Sequence, residues 1–424
     1  MDYSIVGQSV KRKDVEAKAM GQAVYAGDMK FDGLLFGKAL RSAYPHAKIV
    51  RIDTAAAQAM HGVHAVLTAK DIPGINRFGL AIADQPVLAG DKVRMMGDAL
   101  VLVAADSLEL AEEACRRIKV EYEELPGVFT VEDALKEGAA QVHEQGNLLQ
   151  HTALNKGNVA QGFAESDIII ENVYQTQRVE HAYIETESSV AHLGFDGVLT
   201  VWTSTQYPFR DRRQIAPVVN MPMNMVRVIQ MTTGGAFGGK DDITTEIQAA
   251  LLAVKTRRPV KVIWSRQESM VCSTKRHPMR ILVKTGATKD GKLMAVEGQV
   301  YSDKGAYCSI GHFITKKAGL HLAGPYFVPN ISVDTYAVYT NNTISGPYRG
   351  FGILQASFAH ESQMDILAEK LNLSPLEIRM KNALRPGLAN STGQVFESSI
   401  GFYETLLRAK EHMEKYDLPG GVKE

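Results

Sequence analysis

Two hydrophobic rhythms alternate along this chain: short apolar runs, and longer segments with apolar residues every three or four positions. The runs predict strands at Leu34–Leu40, Ile49–Ile52, Val63–Leu67, Ala99–Val103 and Val120–Tyr122. Thr54–Met60 reads as a short helix between them. Leu108, Ala111, Cys115 and Ile118 line one face of a longer helix, entered at Asp106-Ser107, with Glu109 three residues after Asp106 as in a capping box. Pro126-Gly127 closes this first unit, 1–127, whose residues 1–30 are loop-rich. Residues 128–160, polar and interrupted by Gly138, Gly146 and Gly157, read as a connecting segment. A second unit, 161–424, holds strands at Ile168–Val173, Val190–His192, Leu199–Thr203, Val226–Met231 and Val260–Trp264. Helices are expected directly after Asp242, with Ile243, Ile247, Ala250, Leu251 and Val254 on one face, and over Gln355–Leu371, with Ala359, Ser362, Ile366 and Leu367 on one face. A last helix starts at Ser374-Pro375, where Glu377 completes a capping box, and the final LPGGVKE reads as a tail.

The stretch Gly234–Lys240 (GGAFGGK) joins a strand to a helix. Its glycines permit positive φ and a close approach to a ligand, and a helix N-terminus downstream would leave free N–H groups. Gly234-x-x-x-x-Gly239-Lys240 matches the front of a nucleotide-binding P-loop, but Asp241 and Asp242 stand where that loop needs a hydroxyl and the phosphates. A plain turn is the other reading, although it needs fewer glycines. A second such stretch, Gly346–Gly352 (GPYRGFG), again ends a strand region and opens a helix. Arg349 and Phe351 there suit an anionic or aromatic ligand, or a glycine turn plugged by a core Phe. Gln206 directly follows the strand Leu199–Thr203 and precedes a turn at Pro208, so its amide either projects into a site or bonds the turn backbone. The polar loop Arg266–Pro278 carries Glu268, Arg276 and His277, the last read as a structural hydrogen-bonder.

Composition narrows the function classes. A chain of 424 residues exceeds one ordinary core, and 47 basic against 47 acidic residues leave no net charge, so no nucleic-acid footprint is present. No apolar window is long enough to span a membrane and the start lacks a signal-peptide core, so a cytoplasmic location is expected. Cys115, Cys272 and Cys308 are far apart and odd in number, pointing to neither a disulfide framework nor an iron–sulfur site. His360-Glu361 begins a zinc-hydrolase motif, but Met364 replaces its second ligand.

GGAFGGK, GPYRGFG, the post-strand Gln206 and His181–Glu187 (HAYIETE) together resemble the molybdenum hydroxylase family, which includes xanthine dehydrogenase, aldehyde oxidase and carbon monoxide dehydrogenase. The resemblance covers nearly the whole chain. It implies an α+β fold, with an α/β hammerhead domain over 1–127 followed by the first molybdopterin-binding domain. It implies molybdenum on a molybdopterin cytosine dinucleotide, with a sulfido or selenido ligand and no side-chain ligand. Gln206 would donate to the metal's apical oxygen. Gly235, Ala236, Phe237 and Gly238 would offer backbone to the cofactor, Arg349 would lie beside the metal, and Phe351 would flank a flat substrate. Gln206, Phe237 and Arg349 are thus the residues expected around the metal, and Gln206 and Phe351 the catalytic pair. The chain departs from the family in having no Gly-x-Gly-Glu motif, whose Glu is the base. The resemblance therefore implies a split site completed by a second molybdopterin subunit, with 2Fe-2S and FAD on further subunits in a dimer of heteromers. The implied reaction is hydroxylation of an N-heteroaromatic compound by water-derived oxygen, with nicotinate as substrate and a purine or aldehyde as the alternatives. A metal-free scaffold subunit is the non-enzymatic alternative.

Overall fold

The computed structural model describes residues 3–416, so the LPGGVKE tail lies outside the described residues. The strands, in chain order, are β1 (Leu35–Arg41), β2 (Ala47–Asp53), β3 (Val63–Thr68), β4 (Lys92–Val93), β5 (Ala99–Ala105) and β6 (Lys119–Glu124). Then come β7 (Leu148–Lys156), β8 (Ile168–Gln175), β9 (Ser188–Leu193), β10 (Leu199–Thr203) and β11 (Val226–Gln230). The last four are β12 (Val260–Ile263), β13 (Met279–Ala287), β14 (Leu293–Asp303) and β15 (Asn330–Val338).

One sheet runs β11-β10-β9-β12-β1-β5-β3, drawing strands from both units. Its join is the parallel pairing of Leu35, Phe36 and Gly37 with Val260, Lys261 and Val262. A Cβ on Gly37 would lie 2.7 Å from both Leu252 and Val262, so only glycine lets the helix Glu246–Thr256 settle on that seam. That helix buries every residue from Glu246 to Ala253. A helix hydrophobic on nearly all sides belongs in a core, here the one it shares with β1, β9 and β12. A second sheet runs β7-β15-β14-β13-β8 and carries the helices Gly311–Leu320 and Ile353–Leu371 on its core. A third, small sheet, β4-β2-β6, lies in the N-terminal unit with the helix Leu108–Arg117 in the same apolar cluster.

Several expectations are corrected. Residues 128–160 do not merely connect: they hold the helix Val131–Ala134 and β7, which pairs antiparallel with β15. The cap of the helix Leu108–Arg117 is Ser107, whose side chain accepts from Leu110 N–H, while Asp106 pairs with His64. The turn expected at Pro208 is the helix Pro208–Val218, with proline at its first position, where its missing N–H costs nothing. Part of the expected loop Arg266–Pro278 is the helix Arg266–Cys272, with a Ser265/Glu268 capping box. In the helix Ile353–Leu371 the buried face runs through Ala356, Ala359, Gln363 and Leu367; Ser362 lies off it and bonds Phe358 C=O. The helix from Pro375 is followed by another, Phe402–Lys415.

Candidate functional site

β10 and β11 are parallel neighbours, with Thr203 opposite Gln230. Their carboxyl ends therefore deliver Gln206 and the Gly234–Lys240 loop side by side, at the place where open sheets commonly bind ligands. Gln206 Oε1 accepts from Gly238 N–H at 2.9 Å, and Gln206 N–H donates to Lys240 C=O at 2.9 Å. An atom facing a backbone N–H must be the amide oxygen, which fixes the orientation. Gln206 Nε2 has no partner among the described residues. Neither do the N–H groups of Gly235, Ala236 and Phe237, whereas that of Gly238, expected to be free, is held by Gln206.

The second glycine stretch comes from the other sheet, after β15, and docks on the first. Arg349 N–H donates to Phe237 C=O at 2.8 Å. Gly238, at φ +101°, packs so closely that a Cβ would lie 2.9 Å from the Pro347 carbonyl. Phe237 and Phe351 both adopt φ 50°, a left-handed conformation rare for an aromatic residue. Such strain persists where the surroundings over-determine it, and functional sites collect it. Phe237 is 49% exposed, and Arg349 is exposed at the same seam. Phe351 is half-buried against the core of the second sheet, with Lys317 Nζ 5.4 Å from its ring centre. It is thus partly the core plug that the sequence left as the alternative.

His181–Glu187, which carried no assigned role, holds the two turns together. His181 Nε2 donates to Pro347 C=O at 2.8 Å and its ring stacks on Tyr348 at 4.2 Å. Burial holds the His181 imidazole down to about 4, so it is neutral in the folded chain at neutral pH. The unfolded chain takes up that proton near 6.5. Stability from this group is therefore complete above the unfolded value and is lost as pH falls from 6.5 toward 4. Urea midpoints should fall between about pH 7 and about pH 5, and fall less in His181→Gln. Equal falls in both proteins would remove His181 from the seam's acid sensitivity.

Glu185 supplies the other tie. Its Oε2 accepts from Gly234 N–H at 2.6 Å, Ser204 Oγ at 2.7 Å and Lys240 Nζ at 2.8 Å. Lys240 is 2% exposed, also donates to Glu185 C=O and Ser204, and lies 4.6 Å from the Tyr183 ring centre. Burial lowers its pKa, opposed by Glu185. The P-loop reading is thereby overturned, since the lysine that would reach a phosphate is turned inward and ion-paired. The helix expected directly after Asp242 starts at Glu246, and Glu246 itself accepts from Thr244 N–H at 2.6 Å. Asp241 pairs with Arg210 at 2.8 Å.

His277 is fully buried, its Nε2 2.7 Å from Lys304 Nζ, and all three cysteines are free and buried. Among the described residues no group of three or more His, Cys, Asp or Glu is placed to hold a metal ion, and no helix is long and apolar enough to cross a membrane.

Both parts of the chain match known domains. Residues 20–126 match the aldehyde oxidase and xanthine dehydrogenase a/b hammerhead domain, and residues 142–383 match the molybdopterin cofactor-binding domain. The chain is 46% identical to the nicotinate dehydrogenase large molybdopterin subunit of Eubacterium barkeri, over 97% of this chain and 96% of that one. It is 44% identical to a probable xanthine dehydrogenase subunit of Bacillus subtilis, over 88% of this chain and 50% of that protein. The structure superposes on the aldehyde oxidoreductase of Desulfovibrio gigas with a TM-score of 0.92 at 32% identity, covering 95% of this chain and 46% of that one. The chain thus spans nearly all of the first of these relatives and about half the length of the other two. It belongs to the molybdenum hydroxylase family of aldehyde oxidases and xanthine dehydrogenases, as a hammerhead domain followed by a molybdopterin-binding domain.

Proposed function

We propose that this chain is the large molybdopterin subunit of a multi-subunit hydroxylase that converts nicotinate to 6-hydroxynicotinate with oxygen from water. The end-to-end similarity to the nicotinate dehydrogenase large subunit carries the choice of substrate. A purine is the second reading, favoured by the 44% identity to a probable xanthine dehydrogenase subunit.

The residues present fit a pterin cofactor that brings its own metal ligands. Gln206 Nε2 and the N–H groups of Gly235, Ala236 and Phe237 form a row of donors without partners among the described residues, beside the exposed guanidinium of Arg349. When bound, such a cofactor supplies the two-electron oxidation and the activated oxygen. In our reading it is a molybdopterin cytosine dinucleotide with a sulfido or selenido ligand. Gln206 would offer its free amide N–H to the metal centre, and the loop backbone and Arg349 would hold the anionic cofactor without adding a titrating ligand. Phe351 lies flat against the heterocycle. A second molybdopterin subunit would supply a Glu as base, 2Fe-2S and FAD subunits would take the electrons, and the dimer of heteromers would work in the cytoplasm.

Assay of the native complex against nicotinate, purines and aldehydes in isotopically labelled water tests this reading. Labelled 6-hydroxynicotinate, with molybdenum present, is the expected product. Preferred turnover of a purine would transfer the assignment, and a complex without molybdenum would leave a scaffold. Phe351→Ala should raise KM and lower kcat/KM by the equivalent of about 1–3 kcal/mol, measured per folded molecule. Normal kinetics with only stability reduced would make Phe351 a core residue alone.

A further inference from the structure

Behind the two glycine turns the chain closes around a small cavity of about 50 Å³. Its wall includes Arg41 from β1, Trp264 after β12, Gln248 from the helix Glu246–Thr256, Thr274 and Asp242. Trp264, Gln248 and Thr274 are exposed by only 5%, 6% and 4%. Four of these side chains carry a buried polar atom with no hydrogen-bond partner among the described residues: Arg41 Nη2, Trp264 Nε1, Gln248 Oε1 and Thr274 Oγ1. Folded proteins rarely leave such groups unmet, and four around one void call for an occupant.

The chemistry of the wall selects that occupant. Arg41 Nη2 and Trp264 Nε1 only donate, Gln248 Oε1 only accepts, and Thr274 Oγ1 does both. The guanidinium and the indole N–H repel a metal cation. The carboxylates of Asp242 and Asp98 in the same wall, and the Gln248 oxygen, repel an anion. A neutral molecule that donates and accepts satisfies all four, and the void holds about three waters at roughly 15 Å³ of such space each. We propose that this cavity binds a fixed cluster of waters bridging Arg41 and Trp264 to Gln248, Thr274 and Asp242, and so braces the second glycine turn from behind.

The link to the turn is direct. A Cβ on Gly346, the first residue of that turn, would lie 2.6 Å from Thr274 and 2.8 Å from Asp242 Oδ2. Asp242 Oδ2 in turn accepts from Ser309 Oγ at 2.5 Å. Arg41 is itself held, its Nη1 donating to Gly97 C=O at 3.1 Å and its guanidinium lying over the Trp264 ring. The waters thus join the N-terminal unit to the wall on which the turn rests.

A crystal structure of the native complex that resolves ordered water tests this, together with amide exchange over residues 346–352. The expected result is ordered water within hydrogen-bond reach of all four orphaned atoms. Thr274→Val should lose one water and quicken exchange in the turn about tenfold, about 1.4 kcal/mol of local stability, while Thr274→Ser keeps both. A dry cavity, a bound anion, or direct pairing of Arg41 and Trp264 with Gln248 would overturn the proposal. So would unchanged exchange in Thr274→Val. Should that variant fail to fold, the water content of the native complex decides alone.

Discussion

Gln206→Ala should lower turnover about 10²-fold or more while leaving the fold and molybdenum content intact. The side chain is half-buried, and its one bond among the described residues runs from Gly238 N–H to Oε1. That bond fixes the amide's orientation and leaves Nε2 as a donor without a partner among the described residues. A fixed donor is worth more to a transition state than a mobile one, because no reorganisation is needed as charge develops. The alanine variant also frees Gly238 N–H, a half-buried group whose loss of one neutral bond is a modest cost. Folding should therefore change by no more than about 1 kcal/mol. Gln206→Glu sharpens the test, since it keeps the acceptor for Gly238 and exchanges only the donor. Full rate in either variant, at full molybdenum content, would remove Gln206 from the chemistry.

The largest effect on stability is expected at Lys240. Its ammonium is nearly inaccessible and is shared among Glu185 Oε2, Glu185 C=O and Ser204 Oγ. Lys240→Met keeps the volume and removes the charge, leaving the Glu185 carboxylate with Gly234 N–H and Ser204 alone. Removing one partner of a buried pair costs about 3–5 kcal/mol, because the other charge stays desolvated. Urea unfolding should show that loss, and Lys240→Met with Glu185→Gln should recover much of it. A loss below about 1 kcal/mol would mean that water, not Lys240, neutralises Glu185.

Those two residues mark how far the sequence could be read. Gln206 and the glycine turns were legible because apolar runs end just before them and glycines crowd the next few positions. The inward turn of Lys240 was not, since its partner Glu185 is 55 residues away and no local pattern links them. The pairing of β1 with β12, which puts both units into one sheet, is non-local in the same way. Other features do carry a local signal in the sequence. Ser265 and Glu268 spell a capping box, and the alternating burial of Met279, Ile281 and Val283 in β13 matches their spacing in the sequence. β7 carried little signal, because as an edge strand it has no fully buried residue to impose an apolar rhythm.

In the split-site proposal the base comes from the second subunit and not from the residues around the glycine turns. Gln206 is a neutral amide, Lys240 is ion-paired inward, and Asp241 is paired with Arg210. Without a base the proposed site would hold a cofactor but lack the group that activates water. The decisive measurement is molybdenum content and nicotinate hydroxylation of this chain expressed alone, against the same chain co-expressed with a subunit carrying Gly-x-Gly-Glu. The split-site proposal predicts little molybdenum and no turnover alone, both restored by the second subunit, and turnover alone lost when that subunit's Glu becomes Gln. A single chain that retained molybdenum and hydroxylated nicotinate by itself would contradict it.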